Sequence, residues 1–182
     1  MKVAVSGAAG RMGKRVLALA NEHPSMNIVG ALEAPGFPGI GKDAGEVAGI
    51  GKLGVLITDK LKPVLAACDV LIEFSAPEPS VEHIKAAAGA GKAIVVGTTG
   101  FSEQQREEVV QAGQKTRCLV APNMSLGVNL LFNLVQRVAS ALGSGYDVEI
   151  IEAHHRMKKD APSGTAVKLA EVIGKALDRD YA

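Results

Sequence analysis

Aromatic side chains are scarce in this chain: there is no tryptophan, and aromatic residues make up only 3% of its 182 positions. Any sizeable core must therefore come from Ala, Val, Leu and Ile, as in parallel α/β proteins, whose buried strands read as aliphatic runs. Cysteine is nearly absent too. Cys68 and Cys118 lie far apart, without C-x-x-C or metal-ligand spacing, which points to reduced core thiols and a cytoplasmic setting rather than a disulfide framework or a metal site. There is no excess of charge, the formal net value being +1, and no basic block or aromatic-interleaved basic stripe, so nucleic acid is not expected as a partner. Long apolar runs are missing as well. MKVAVSGAAGRMG is interrupted too early by Gly and Arg to act as a secretion signal, and Leu126 to Leu142 carries Asn129, Asn133, Gln136 and Arg137, so no membrane association is expected.

An apolar fraction of 47% with 21% charged residues fits a soluble globular chain. Short aliphatic runs alternate with longer amphipathic segments, the pattern of βαβ units on a parallel sheet. The strands expected are Lys2–Ser6, Asn27–Leu32, Gly54–Ile57, Val70–Phe74, Ala93–Val96 and Cys118–Ala121. Helices are expected over Met12–Asn21, Ser80–Ala90 and Ser102–Gln114, the last with Ser102 as N-cap. Gly36 to Gly54 holds seven glycines and reads as a long irregular connection. After Asn123 the rhythm changes to a helix (Leu126–Leu142), an aliphatic strand (Val148–Ala153) and a final helix (Thr165–Leu177). A domain boundary is placed there, with residues 1–125 as a dinucleotide-binding domain and 126–182 as a partial second domain. One strand and two helices would leave that second sheet with open edges.

Gly7, Gly10 and Gly13 sit at the first strand-to-helix turn in VAVSGAAGRMGKRV. Such a turn lets the backbone approach a pyrophosphate, and the following helix offers free N–H groups and the positive end of its dipole. The spacing is G-x-x-G-x-x-G rather than G-x-G-x-x-G, and a glycine pattern by itself also fits a plain tight turn. Glu33, ending the second strand twenty residues later, could accept hydrogen bonds from ribose hydroxyls. A 2′-phosphate would call for an Arg nearby, but Ala34 and Pro35 follow Glu33 and only Arg11 could supply part of that charge. NADH is therefore favoured over NADPH. The strand ends at Phe74-Ser75, Gly97-Thr98-Thr99 and Ala121-Pro122-Asn123 share the edge that would border the nicotinamide half.

The stretch EAHHRMKKDAPSGTA, Glu152 to Ala166, concentrates charge and hydroxyls. In a strand, His154 and His155 would point to opposite sides. A zinc site is a poor alternative, since no third and fourth ligand stand at suitable spacing. Ser163-Gly164-Thr165 opens a helix whose first turn contains no acid. Its N–H groups and hydroxyls are therefore expected to be available to an anion, with His155 and Lys158, and Lys159 beside them, favouring a carboxylate.

VSGAAGRMG, ALE, DVLIEFSAP, VVGTTGF, APNMSLGVN and EIIEAHHRMKKDAPSGTA together resemble, from end to end, the dihydrodipicolinate reductase (4-hydroxy-tetrahydrodipicolinate reductase) family of diaminopimelate and lysine biosynthesis. The resemblance implies a Rossmann-type parallel-sheet domain, then a mixed α/β substrate domain, usually in a homotetramer acting on a small dicarboxylate with NADH or NADPH. By position it assigns the cofactor to Gly7, Ala8, Ala9, Gly10, Arg11, Met12, Gly13, Glu33, Phe74, Gly97, Thr98, Thr99 and Ala121, Pro122, Asn123, Met124. His154 matches an acid/base residue and Lys158 a proton donor, while His155, Ser163, Gly164 and Thr165 match the grip on a substrate carboxylate. Family members run beyond the equivalent of Asp180-Tyr181-Ala182, so strands completing the substrate-domain sheet are expected to be missing here. The alternative is a shortened dinucleotide-binding module with little or no catalysis. Replacing His154 or Lys158 should mainly lower kcat, and replacing Thr165 should mainly raise KM. Unchanged turnover in Lys158→Ala would remove Lys158 from the mechanism.

Overall fold

The computed structural model describes residues 1–156 and 161–180. Two compact units make up the chain, Met1–Val120 and Ala121–Ala182. The first holds β1 (Lys2–Ser6), α1 (Arg11–Glu22), β2 (Asn27–Leu32), α2 (Ala44–Ala48), β3 (Ile57–Thr58), α3 (Leu61–Ala67), β4 (Val70–Glu73), α4 (Pro77–Gly89), β5 (Ala93–Val96), α5 (Glu103–Gly113) and β6 (Cys118–Val120). Its six strands form one parallel sheet in the order β3-β2-β1-β4-β5-β6. This is the Rossmann arrangement, in which the strand order reverses between β1 and β4.

Alternation along β1 explains why the sheet needs cover on both faces. Val3 and Val5 join Leu17 of α1, Ala31 and Ile57 in one aliphatic cluster, while Ala4 joins Leu65, Leu71, Ile84 and Ile94 in the other. Each fully buried Leu or Ile contributes roughly 1.5–3 kcal/mol. Cys68 and Cys118 are free thiols.

Local chemistry sets the helix starts. Ser102 caps α5 by accepting from the Gln105 N–H, and the Gln105 side chain accepts from the Ser102 N–H, a reciprocal capping box. Helix α4 starts three residues earlier than its apolar spacing predicts, because Pro77 is suited to the first helical position. Helix α3 fills the connection between β3 and β4, and Pro63 sits in its first turn, where a missing N–H costs nothing.

The glycine-rich connection is more ordered than its composition predicts. Asp43, buried at the start of α2, accepts the N–H groups of Gly45, Glu46, Leu53 and Gly54 at 2.7 to 3.2 Å. Gly54 is thereby drawn out of the strand expected from residue 54, and β3 begins at Ile57.

The second unit contains α6 (Leu126–Leu142), a 3₁₀ turn (Gly143–Gly145) and α7 (Gly164–Leu177), with α6 packed on α7. The expected strand at Val148–Ala153 is not formed. A strand exists only by pairing, and among the described residues of this unit no other strand is present to pair with. Ile151 is consequently 90% exposed, and Leu126, at the start of α6, is 87% exposed. Leu134, Val138, Tyr146, Val148, Ile173 and Leu177 border an apolar groove of about 400 Å³. Among the described residues, no helix is long and apolar enough to cross a membrane.

The Leu53 N–H, with those of Glu46, Gly54 and Gly45, outweighs desolvation and holds the Asp43 carboxyl below its ordinary value. With the folded pKa depressed, the stabilisation is complete above about pH 4 and is lost as the pH falls through the folded value. In denaturant titrations Asp43→Asn should be less stable than the parent at neutral pH. The gap should close in acid, and a gap independent of pH would refute this account.

Candidate active site

The glycine turn lies at the carboxyl end of β1, beside the end of β4. Gly7 has φ +69°, and a Cβ there would stand 2.4 Å from the Phe74 carbonyl oxygen. A Cβ on Gly13 would stand 2.0 Å from the Gly7 oxygen, so α1 can come this close to the turn only with glycine at that position. The N–H groups of Gly7 and Ala8 donate to the Leu32 carbonyl at 3.0 and 3.2 Å, and Gly10 donates to Gly7 at 3.0 Å. Gly10 caps α1 with no side-chain hydrogen bond, and the first turn holds no acid. Arg11 and Met12 open that turn, both exposed. Glycine turn, close helix approach and uncapped helix start together fit a dinucleotide pyrophosphate.

Glu33 reaches this turn. Its Oε1 accepts the Ala9 N–H at 2.7 Å and its Oε2 the Ala34 N–H at 3.2 Å. Along the same strand-end edge, the Phe74 ring lies against Gly97, where a Cβ would come 2.0 Å from Cε1 of that ring. Thr98 is buried and its hydroxyl oxygen lies 2.7 Å from Ser80 Oγ; Thr99 is half-buried.

In the second unit Asn123 is the hub of its segment. Its Oδ1 accepts the Ser125 N–H at 2.9 Å, its carbonyl accepts from Asn129 Nδ2 at 3.1 Å, and its Nδ2 donates to Thr165 Oγ1 at 3.2 Å. Ala121 is half-buried, while Pro122 and Met124 are exposed. Ser163 is buried, and its Oγ caps α7 by accepting the Ala166 N–H at 3.1 Å. The Ser163 N–H donates to Glu152 Oε1 at 2.8 Å, and Glu152 Oε2 lies 3.5 Å from Nδ1 of His154. Gly164 and Thr165 follow in the first turn of α7, which contains no acid. His154 and His155 are exposed, and Lys158 and Lys159 lie outside the described residues.

The description "Dihydrodipicolinate reductase, N-terminus" matches residues 1–124, and "Dihydrodipicolinate reductase, C-terminus" matches residues 127–181. The chain belongs to the dihydrodipicolinate reductase family. A curated 4-hydroxy-tetrahydrodipicolinate reductase from Citrifermentans bemidjiense is 50% identical over 181 residues, covering all of this chain and 68% of that protein. One from Anaeromyxobacter dehalogenans is 51% identical over 178 residues, 98% of this chain and 66% of its own length. This chain thus spans about two thirds of these relatives. Among solved structures, the dipicolinate-bound dihydrodipicolinate reductase from Paenisporosarcina sp. TG-14 superposes with a TM-score of 0.74 at 27% identity, covering 97% of this chain and 66% of that one. An amine dehydrogenase from Mycobacterium smegmatis, at TM-score 0.60 and 19% identity over 81% of this chain and 45% of that one, shares the fold alone.

Within this member of the dihydrodipicolinate reductase family, the structure groups Gly7, Gly13, Glu33, Phe74, Gly97 and Thr98 on one unit, and Asn123, His154, Ser163 and Thr165 on the other. The helix start is in part engaged within the unit, although both hydroxyls are acceptors there and keep their own protons to donate. The Ser163 N–H is taken by Glu152, the Ser163 oxygen by Ala166, and the Thr165 oxygen accepts from Asn123. Strand alternation does not orient the histidines, since the segment is not a strand. Glu152 was given no role from sequence. Its signal was its place two residues before His154 in the charged stretch.

The two tight glycines should respond differently. Gly13→Ala meets backbone and should cost about 1–3 kcal/mol or more of stability together with NADH binding. Gly97→Ala meets only the edge of a ring that can turn, so stability should stay within about 1 kcal/mol while NADH affinity falls. Calorimetric titration paired with thermal melts separates the two, and equal behaviour would contradict the assignment of Phe74 and Gly97.

Proposed function

We propose that this chain reduces 4-hydroxy-tetrahydrodipicolinate to tetrahydrodipicolinate with NAD(P)H, a step of diaminopimelate and lysine biosynthesis. The observation that carries this reading is the match to both parts of the family along the whole chain, with 50% identity over 181 residues to a curated reductase. The dipicolinate in a related solved structure supports a small dicarboxylate substrate.

The first unit serves the cofactor. Residues Gly7 to Gly13 take the pyrophosphate, Glu33 the adenosine ribose, and Phe74 with Gly97, Thr98 and Thr99 the nicotinamide side; in the second unit, Ala121 to Met124 are assigned to the cofactor by the family resemblance. When bound, the cofactor supplies the hydride. The second unit serves the substrate: His155, Ser163, Gly164 and Thr165 grip a carboxylate. Asn123, bonded to Thr165, orients that hydroxyl. His154 acts as the acid/base group and Lys158 delivers the proton, a contribution of roughly two to four orders of magnitude for a general acid. Glu152, against His154 Nδ1, fixes which ring nitrogen carries the proton.

NADH is the preferred cofactor. The Glu33 carboxylate stands beside the turn with Ala34 next to it, so a 2′-phosphate would meet negative charge there, with Arg11 of the glycine turn as the guanidinium to offset it in part. The free thiols fit a cytoplasmic protein, and the family resemblance implies a homo-oligomer, usually a tetramer.

The test is NADH consumption with the product of dihydrodipicolinate synthase. Turnover should exceed that with NADPH, and Ala34→Arg should shift the kcat/KM ratio toward NADPH by about tenfold or more, the scale of one charge-assisted hydrogen bond. NADH binding without turnover would reduce the chain to a dinucleotide-binding module.

A further inference from the structure

Glu73 has no part in the chemistry above, yet it occupies a fully enclosed position on the cofactor edge. It is the last residue of β4, in register with Ser6 of β1 on one side and Val96 of β5 on the other, and it is wholly buried. A carboxylate out of water is costly unless its oxygens are paired and hydrogen-bonded. Here they are. Oε1 accepts the Ser75 N–H at 2.8 Å and lies 3.3 Å from the Ser80 hydroxyl, while Oε2 is in close contact with Nδ1 of His83, itself 3.4 Å from Ser6 Oγ. Ser80, fully buried on α4, lies 2.7 Å from Thr98 Oγ1. Burial pushes the Glu73 carboxyl up, but the hydrogen bond and charge of His83 and the Ser75 contacts outweigh it and hold the group below its ordinary value.

Stability alone gives little reason for this arrangement, since buried ion pairs can often be replaced by apolar groups without loss. What distinguishes the network is where its ends go. One reaches the N–H just after Phe74, and the other reaches the hydroxyl just after Gly97. Because an ionised carboxylate only accepts, it also fixes the order in which the Ser80 and Thr98 protons point.

We propose that Glu73 is a positioning residue for the dinucleotide: through Ser80 it orients the Thr98 hydroxyl, and through the Ser75 N–H it sets the turn behind Phe74, so that this edge receives the nicotinamide half. The proposal rests on the reading that Thr98 borders the nicotinamide.

The test compares NADH with ADP-ribose, which keeps the adenosine, pyrophosphate and second ribose but lacks the nicotinamide, by calorimetry on the full chain. Glu73→Gln should weaken NADH binding roughly three- to tenfold, the worth of one hydrogen bond, and leave ADP-ribose unchanged. Thr98→Val should do the same, and the double variant should be no weaker than the weaker single one. Parallel loss of both ligands, full NADH affinity in Glu73→Gln, or additive losses would each overturn the proposal. Unchanged NADH affinity in Thr98→Val would instead overturn the reading beneath it. If Glu73→Gln does not fold, Ser80→Ala breaks the same link with the Glu73–His83 pair left in place. It must show the NADH-selective loss, and intact NADH affinity there refutes the role of Glu73.

Discussion

The close passage of the β1 turn beneath the end of β4 is the constraint from which the first unit follows. Ser6 and Glu73 are register partners, so the chain leaves two adjacent parallel strands at the same level. Helix α1 packs with the Val3 and Val5 face and α4 with the Ala4 face, so the two connections part in opposite directions. A crevice must open between them. The backbone can line it only where Cβ atoms are absent, which is what Gly7 and Gly13 provide.

Much of this was legible because it is local. The aliphatic runs of β1, β2 and β5, the helix between Leu126 and Leu142, and the Ser102 cap depend on residues within a few positions of one another. What escaped depends on distance. Asp43 binds N–H groups ten and eleven residues away, and that contact orders α2 and delays β3. The run Val148–Ala153 has the composition of a strand, but pairing is not a property of one segment. At the site, the glycines and the hydroxyl-rich helix start stood out by type and position. Glu73 stood inside an expected strand and Glu152 beside the histidines with no role assigned to either, because their roles lie in which N–H groups they meet.

A common device links the two candidate sites, each taken on its own unit. Glu33 accepts the Ala9 N–H within the glycine turn, and Glu152 accepts the Ser163 N–H just before α7. Buried or half-buried donors left bare would be costly. A glutamate at each cradle satisfies one donor and keeps the loop in shape, and it also places a negative charge where a ligand's hydroxyl or a histidine can use it.

The Asp43 clasp alters what its glycines mean. Five of the seven between Gly36 and Gly54 adopt positive φ, the signature of a chain that could wander. One carboxylate holding four amides closes residues 43 to 54, with three of those five glycines, into a chelate ring, so that part of the segment has little freedom to explore. Its glycines serve the shape of a knot rather than the motion of a hinge.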